Sequence, residues 1–331
     1  MLAQPRQLAC AARPRAAPPA PRAARAPVRA RAAPSAPPAS AAASASPSGR
    51  STMTPPYVVL VTGSSKGVGR ALAEEFLRAG DSVVLCARNA DAVAAAVEQL
   101  GSAYGADRVA GRACNVARAG EVRELAAFAQ ERFGRIDMWI NNAGTNAYKY
   151  GPLTESDEDD LSAIVETNVL GVMLCCKEAI NVMRAQPRGG HVLNMDGAGA
   201  DGGATPRFAA YGATKRGLQQ LSKSLEAELK LLDIKNVGVH NLSPGMVTTE
   251  LLMSGADNKA SKFFINCLAE EPEEVARFLV PRVRRIPQDS ATLTGGVGSA
   301  YIRFLTKPKA YGQILRRLLL GERKDRFVQE E

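Results

Sequence analysis

Tyr211 and Lys215 stand four residues apart at the head of YGATKRGLQQLSKSLEAELKLL, a segment whose apolar spacing predicts a long helix. Positions i and i+4 share one helix face, so the phenol and the ammonium would be neighbours. A free tyrosine titrates near pH ~10, and bringing it to about 7 takes roughly 4 kcal/mol of differential stabilisation. The ammonium and a cationic cofactor ring could supply that. A phenol so tuned gives a proton to an alkoxide as hydride arrives and takes one back in reverse. Tyr and Lys also meet at this spacing by chance, so the pair needs elements that position it and a partner to act with.

A second cluster supplies the partner. VTGSSKGVGRALAEEF places Gly63, Gly67 and Gly69 between a β-branched run and a helical one. Backbone N–H groups reach a pyrophosphate only where side chains are absent, and a helix N-terminus favours the anion. The spacing is G-x-x-x-G-x-G, and Gly-rich turns also simply end strands. The next strand closes Cys86-Ala87-Arg88 with no carboxylate for a ribose 2′-hydroxyl. Arg88 could pair with a 2′-phosphate and Lys66 adds a second charge, which points to NADPH rather than NADH.

The positioning elements follow in order. YVVLVTG, DSVVLCAR, RVAGRACNV, IDMWINNAG, GGHVLNMDG and KNVGVHNLSPG read as six strands, with helical segments between them. The strands are apolar along their length rather than alternating. The pattern predicts an α/β fold: one doubly wound, Rossmann-like domain with a parallel sheet and helices on both faces.

The chain has 331 residues and a formal charge of +9, and eight arginines up to Arg50 supply most of that charge. The body is close to neutral, and the basic leader has no aromatic or Gly-rich interleaving, which argues against nucleic acid as a partner. The Ala-, Pro-, Arg- and Ser-rich leader over 1–54 contains no acidic residue and reads as an organellar transit peptide, the alternative being a disordered basic arm. A cut is expected between about Ala39 and Thr54. Cysteines at 10, 86, 114, 175, 176 and 267 lack C-x-x-C spacing, and Cys86, Cys114, Cys175 and Cys176 read as buried thiols. Two isolated histidines, His191 and His240, make a metal site unexpected.

Taken together, TGSSKGVG, NNAG (Asn141 to Gly144), Asn168 in NVLG, YGATK and PGMVTT resemble the short-chain dehydrogenase/reductase family over 55–303. The resemblance implies that Tyr211 is the general acid/base and that Lys215 binds the nicotinamide ribose and lowers the phenol's pKa. Asn168 would hold a relay water. The cofactor would be bound by Gly63, Ser65, Lys66, Gly67, Val68, Gly69, Arg88, Asn115, Val116, Asn142, Ala143, Gly144, Pro244, Gly245, Val247 and Thr249, together with Tyr211 and Lys215. Two positions depart from the family pattern: Asn115 stands where Asp is frequent, and Asp196-Gly197 where a serine helps polarise the substrate carbonyl. Asp196 as a carboxylate would repel an alkoxide, so it helps only if protonated or turned elsewhere.

Within the family, HVLNMDGAGADGGATPRFAAYGATKRGL resembles the branch that reduces the 7-formyl group of chlorophyll(ide) b in the chloroplast with NADPH. On that reading Gly197 exchanges a hydrogen bond for room beside a planar macrocycle, with backbone N–H groups or Thr205 compensating; a loop without catalytic contact is the alternative. Another plastid reductase, such as one acting on 3-oxoacyl thioesters, or a catalytically silent scaffold, are the other functions carried forward. Leu251, Leu252, Met253, Phe263, Phe264 and Ile265 are expected to line a substrate lid or to pack in the core. The extension 304–331 places Tyr311, Ile314, Leu315, Leu318 and Leu319 on one helix face and Arg316 and Arg317 on the other. It would lie on a thylakoid surface, meet a related subunit or second copy, or pack on its own domain.

Overall fold

Six apolar runs form the strands as the sequence leads one to expect: β1 Val58–Thr62, β2 Ser82–Ala87, β3 Val109–Ala113, β4 Met138–Asn141, β5 Gly190–Met195 and β6 Val237–Ser243. The computed structural model describes residues 53–292 and 296–330, so the expected leader and Cys10 lie outside the described residues except for Met53 and Thr54. A seventh strand, β7 Tyr301–Arg303, adds to the edge, and all pairings are parallel in the order β3-β2-β1-β4-β5-β6-β7. β7 was not foreseen. Its three residues are partly exposed, so no apolar run announces it.

Successive strand residues point to opposite faces and feed two cores. Val59, Val61, Val83, Leu85, Met138 and Ile140 meet helices α1 Gly67–Arg78, α2 Ala90–Tyr104 and α9 Pro272–Asp289. Leu60, Val84, Trp139 and Val192 meet α3 Ala119–Phe133, α5 Val172–Ala185 and α6 Ala209–Leu231. Cys86, Cys114, Cys175, Cys176 and Cys267 are free and buried.

Strand order turns back between β1 and β4, and in open parallel sheets the crevice outside the carboxyl ends at such a point receives the ligand. The segment before α5 is built to serve that crevice. α4 Glu158–Val165 runs into α5 through a π-helical stretch, Glu166–Gly171, which carries Asn168. Chain order from there gives α7 Glu250–Met253, α8 Lys259–Leu268 and α10 Lys307–Leu320.

The two histidines meet. His240 Nδ1 accepts the Ala300 N–H at 3.0 Å, so its Nε2 carries the proton and donates to His191 Nδ1 at 3.0 Å. The neutral pair ties β5 and β6 to the chain entering β7. Burial pulls His191 down to about 4 and holds His240 well below the ordinary range, with His191 adding to the latter. Among the described residues no group of three or more His, Cys, Asp or Glu gathers that could hold a metal ion.

Candidate active site

The Gly-rich turn is crowded in the way that anion cradles are. A Cβ on Gly69 would lie 2.4 Å from the Gly63 carbonyl oxygen, and one on Gly63 would lie 2.8 Å from the Ala143 Cα. Gly67 opens α1, whose N-cap, Lys66, provides no side-chain cap, and no acid occupies the first turn. Free N–H groups therefore point into the crevice with the positive end of the helix dipole. Asn142 Nδ2 donates to the Thr62 and Gly63 carbonyls at 2.9 and 3.1 Å, and Ala143 N–H to Thr62 Oγ1 at 3.0 Å, fixing β4's exit against the turn. Thr249 closes the far side, its Cγ2 lying 3.2 Å from the Cβ position of Gly67. These features fit a dinucleotide, whose phosphates the turn and helix end would meet.

Several expected cofactor residues are committed elsewhere. Lys66 pairs with Glu250 and sits 5.4 Å from the Tyr148 ring centre, so it bridges the crevice rather than reaching toward Arg88. Asn115 Oδ1 accepts the Ala117 N–H at 3.1 Å, a local turn, and Val116 packs against Gly171. Gly245 lies under Leu305, and Val247 is buried in a bridge to Glu270. Ser65 and Val68 flank the turn, both partly buried. Arg88, exposed at the end of β2, has no ion pair among the described residues.

Tyr211 and Lys215 share one face of α6, with the ammonium 5.5 Å from the ring centre. Lys215 Nζ donates to the Met195 carbonyl at 3.0 Å. A single point, the Cβ position of Gly144, lies 3.4 Å from both Lys215 Nζ and Asn168 Oδ1, so ammonium, amide and β4 loop converge. The Asn168 side chain itself is used in the protein: Oδ1 accepts the Thr145 N–H at 2.8 Å, and Nδ2 donates to Thr145 O and Thr214 Oγ1 at 2.8 and 3.1 Å. A relay water would therefore meet the Asn168 main chain rather than its amide.

The expected lowering of the phenol is not produced by the protein alone. Burial raises Tyr211, and Tyr150 and Asp196 add to the rise. Burial pulls Lys215 down to about 8, opposed by Asp196. Desolvation dominates here, so lowering the phenol falls to a positive charge that the cofactor would bring.

The missing serine has a steric counterpart. A Cβ on Gly197 would lie 2.4 Å from the Tyr211 phenol oxygen and 3.2 Å from Cζ. The phenol occupies the room that a side chain would need. Asp196 is turned elsewhere: Oδ2 accepts from the Tyr301 hydroxyl and, at 3.3 Å, from Gln219 Nε2. Thr205 does not compensate, since its Oγ1 packs against Gly212 rather than the phenol.

A cavity of about 500 Å³ reaches Tyr211. Its wall comes from Asn146 to Gly151, α4 and Arg207 to Tyr211, with Tyr150 and Phe208 edge to face at 5.3 Å. The expected lid residues do not line it. Ile265 is core, and Phe263 packs on Phe264 and Arg317. The lid touches the cavity through Tyr150, whose hydroxyl donates to the Leu251 carbonyl at 3.2 Å and whose ring fills the space beside Gly255. Sequence reasoning missed Tyr150, Phe208 and Tyr301, which sit in loops or short strands without periodicity.

A doubly wound parallel sheet, a Gly-rich strand-to-helix turn at its switch point and a tyrosine–lysine face beside it define the dinucleotide-dependent oxidoreductases of the Rossmann type. Residues 57–260 match the family model described as short chain dehydrogenase. Chlorophyll(ide) b reductase NOL, chloroplastic, from Arabidopsis thaliana is 57% identical over 85% of this chain and 79% of its own length. The protein of the same description from Oryza sativa subsp. japonica is 54% identical over 85% and 81%. The 3-ketoacyl-(acyl-carrier-protein) reductase of Brucella melitensis, solved with NADH, superposes with a TM-score of 0.63 over 77% of this chain and 98% of its own at 22% identity, a likeness of fold. The chain belongs to the short-chain dehydrogenase/reductase family.

Proposed function

We propose that this chain reduces the 7-formyl group of chlorophyll(ide) b to a 7-hydroxymethyl group with NADPH. The observation that carries the substrate is the 57% identity to the Arabidopsis chlorophyll(ide) b reductase across 79% of that protein. The site supports the chemistry. A reduced nicotinamide held at the Gly63–Gly69 turn would supply the hydride for the formyl carbon. Tyr211, which lines the cavity, gives its proton to the carbonyl oxygen, and Lys215 beside its ring holds the ribose and stabilises the phenolate left behind. Gly197 leaves the phenol as the side-chain donor at this point. A 3-oxoacyl thioester reductase would keep the serine that Gly197 replaces.

The preference for NADPH rests on Arg88, exposed at the strand end where a carboxylate would read a 2′-hydroxyl. A chloroplast address rests on the acid-free leader and on relatives named chloroplastic. The transit peptide would be cut upstream of Met53, which is 1% exposed in the core and followed by Thr54, whose carbonyl accepts from Arg188. Contact with the thylakoid surface would use the apolar face of α10. Arg317 turns inward to Glu330 at 2.6 Å, while Tyr311, Leu315, Leu318 and Leu319 face outward. No helix among the described residues is long and apolar enough to cross a membrane. Replacing Leu315, Leu318 and Leu319 together with Gln should abolish cosedimentation with galactolipid vesicles containing anionic lipid; unchanged binding would reject that contact. The reductase itself is tested by turnover of chlorophyllide b with NADPH.

A further inference from the structure

We infer that Asn146 is a second hydrogen-bond donor to the substrate carbonyl, its amide N–H taking the part of the serine that Gly197 replaces. The inference rests on the reductase reading of the site and adds a catalytic residue to it. Among the described residues few buried side-chain polar atoms lack a hydrogen-bond partner, and Asn146 Nδ2 is the one that belongs to the wall of the cavity reaching Tyr211. Asn146 is 3% exposed. Leaving a buried donor unpaired is costly, so a native structure keeps one where a ligand completes the bond.

The amide is oriented from its other end. Asn146 Oδ1 accepts the Tyr148 N–H at 2.8 Å, so the nitrogen and not the oxygen is the free end. The loop that carries it is pinned to the catalytic helix. Thr145 exchanges two hydrogen bonds of 2.8 Å with the Asn168 side chain, whose Nδ2 also reaches Thr214 Oγ1, the neighbour of Lys215, at 3.1 Å. Ala147 and Tyr148 follow with φ of 58° and 57°, a left-handed conformation that non-glycine residues keep only where the surroundings over-determine it, as functional sites do. Tyr150 lies near the amide: burial raises its phenol and Asn146 lowers it. The two make no hydrogen bond, and the Tyr150 hydroxyl gives its proton to the Leu251 carbonyl at 3.2 Å. The chemistry has a use for the free N–H. As hydride adds to the formyl carbon, the C=O π pair moves to oxygen, and the Tyr211 proton forms the new O–H bond. Asn146 keeps its proton and donates one hydrogen bond to that oxygen while the charge develops.

The test reads the formyl C=O stretch of chlorophyllide b by resonance Raman, with the pigment bound to the full chain and NADP+ replacing NADPH so that nothing is reduced. Hydrogen bonds to the oxygen lower this stretch. In Tyr211→Phe, which lacks the phenol, it should stay below its value for the pigment in a solvent without donors. Adding Asn146→Asp, whose carboxylate still accepts the Tyr148 N–H, or the neutral Asn146→Leu, should return it to that value. With NADPH, each single variant at 146 should slow hydride transfer by roughly 10²- to 10³-fold. A free-carbonyl stretch already in Tyr211→Phe, or a lowered one in both double variants, overturns the inference. If neither variant at 146 folds, the Tyr211→Phe spectrum decides alone. Pigment that does not bind contradicts the reductase reading and takes the inference with it, whereas bound pigment with a free formyl group contradicts the inference alone.

Discussion

Adding one carbon at residue 197 should disable the chemistry while sparing the fold and the cofactor site. The Cβ position lies 2.4 Å from the Tyr211 phenol oxygen and 3.2 and 3.3 Å from Cζ and Cε1. Comfortable non-bonded contact begins near ~3.5 Å, so the phenol must retreat by about 1 Å. A displacement of about 1 Å at a reacting group costs on the order of 100-fold, or about 2.7 kcal/mol of transition-state stabilisation. Gly197→Ala and Gly197→Ser should therefore both lower single-turnover rates with NADPH and chlorophyllide b by roughly 100-fold. NADPH affinity, read from nicotinamide fluorescence, should stay at the native value. The serine variant is the sharper arm, because it restores the hydroxyl that the family pattern carries. Native or faster turnover by Gly197→Ser would refute the steric reasoning.

Three other perturbations address separate parts of the account. Arg88→Ala should raise the Kd for NADPH roughly 10- to 100-fold through loss of a charge-assisted contact, and leave NADH unchanged; equal losses for both cofactors would contradict it. The histidine pair should make stability fall in acid. Its folded pKa values lie below the unfolded value of ~6.5, so the unfolded chain binds the protons first. Stability is then complete above pH ~6.5 and declines toward about 4, with His191 alone worth about 3 kcal/mol over that range. Urea midpoints that stay level from pH 7 to 5 would exclude this. Asn266→Ala should free the C-terminal tail, since Asn266 Oδ1 accepts the Phe327 and Val328 N–H groups at 2.7 and 3.0 Å. Trypsin should then cut near Lys324 and Arg326 faster than in the native chain; equal rates would place the tail's anchor elsewhere.

What could be read from the residues was whatever repeats or sits close in sequence. Five of the six strands announced themselves because burial on both faces writes an apolar run, whereas the edge strand β3 is buried only at Val109 and Ala110. The glycine turn was legible because close backbone approach leaves only glycine, and the Tyr211–Lys215 face because one helix turn separates the two. The remainder depends on distant contacts. Asp196 and Tyr301 meet across 105 residues, and β7 itself is too short and exposed to signal its place. The histidines looked isolated because adjacent parallel strands, not sequence proximity, bring them together. The choice between lid and core stayed open for residues 251–265 because an apolar residue on a short helix has the same appearance whether it faces a ligand or, like Ile265, the core. The inward turn of Arg317 escaped for a related reason: its partner, Glu330, lies in the tail beyond the helix.

The proposed reaction requires Tyr211 to deliver a proton to the formyl oxygen as C7's substituent is reduced. Purified chain incubated with NADPH deuterated at the transferable position and chlorophyllide b should yield 7-hydroxymethyl chlorophyllide a carrying one deuterium on the new CH–OH carbon. Tyr211→Phe, folded and binding NADPH normally, should form it ~10²- to 10⁴-fold more slowly. Product formed at the native rate by the phenylalanine variant, or no labelled product from the native chain, would contradict it.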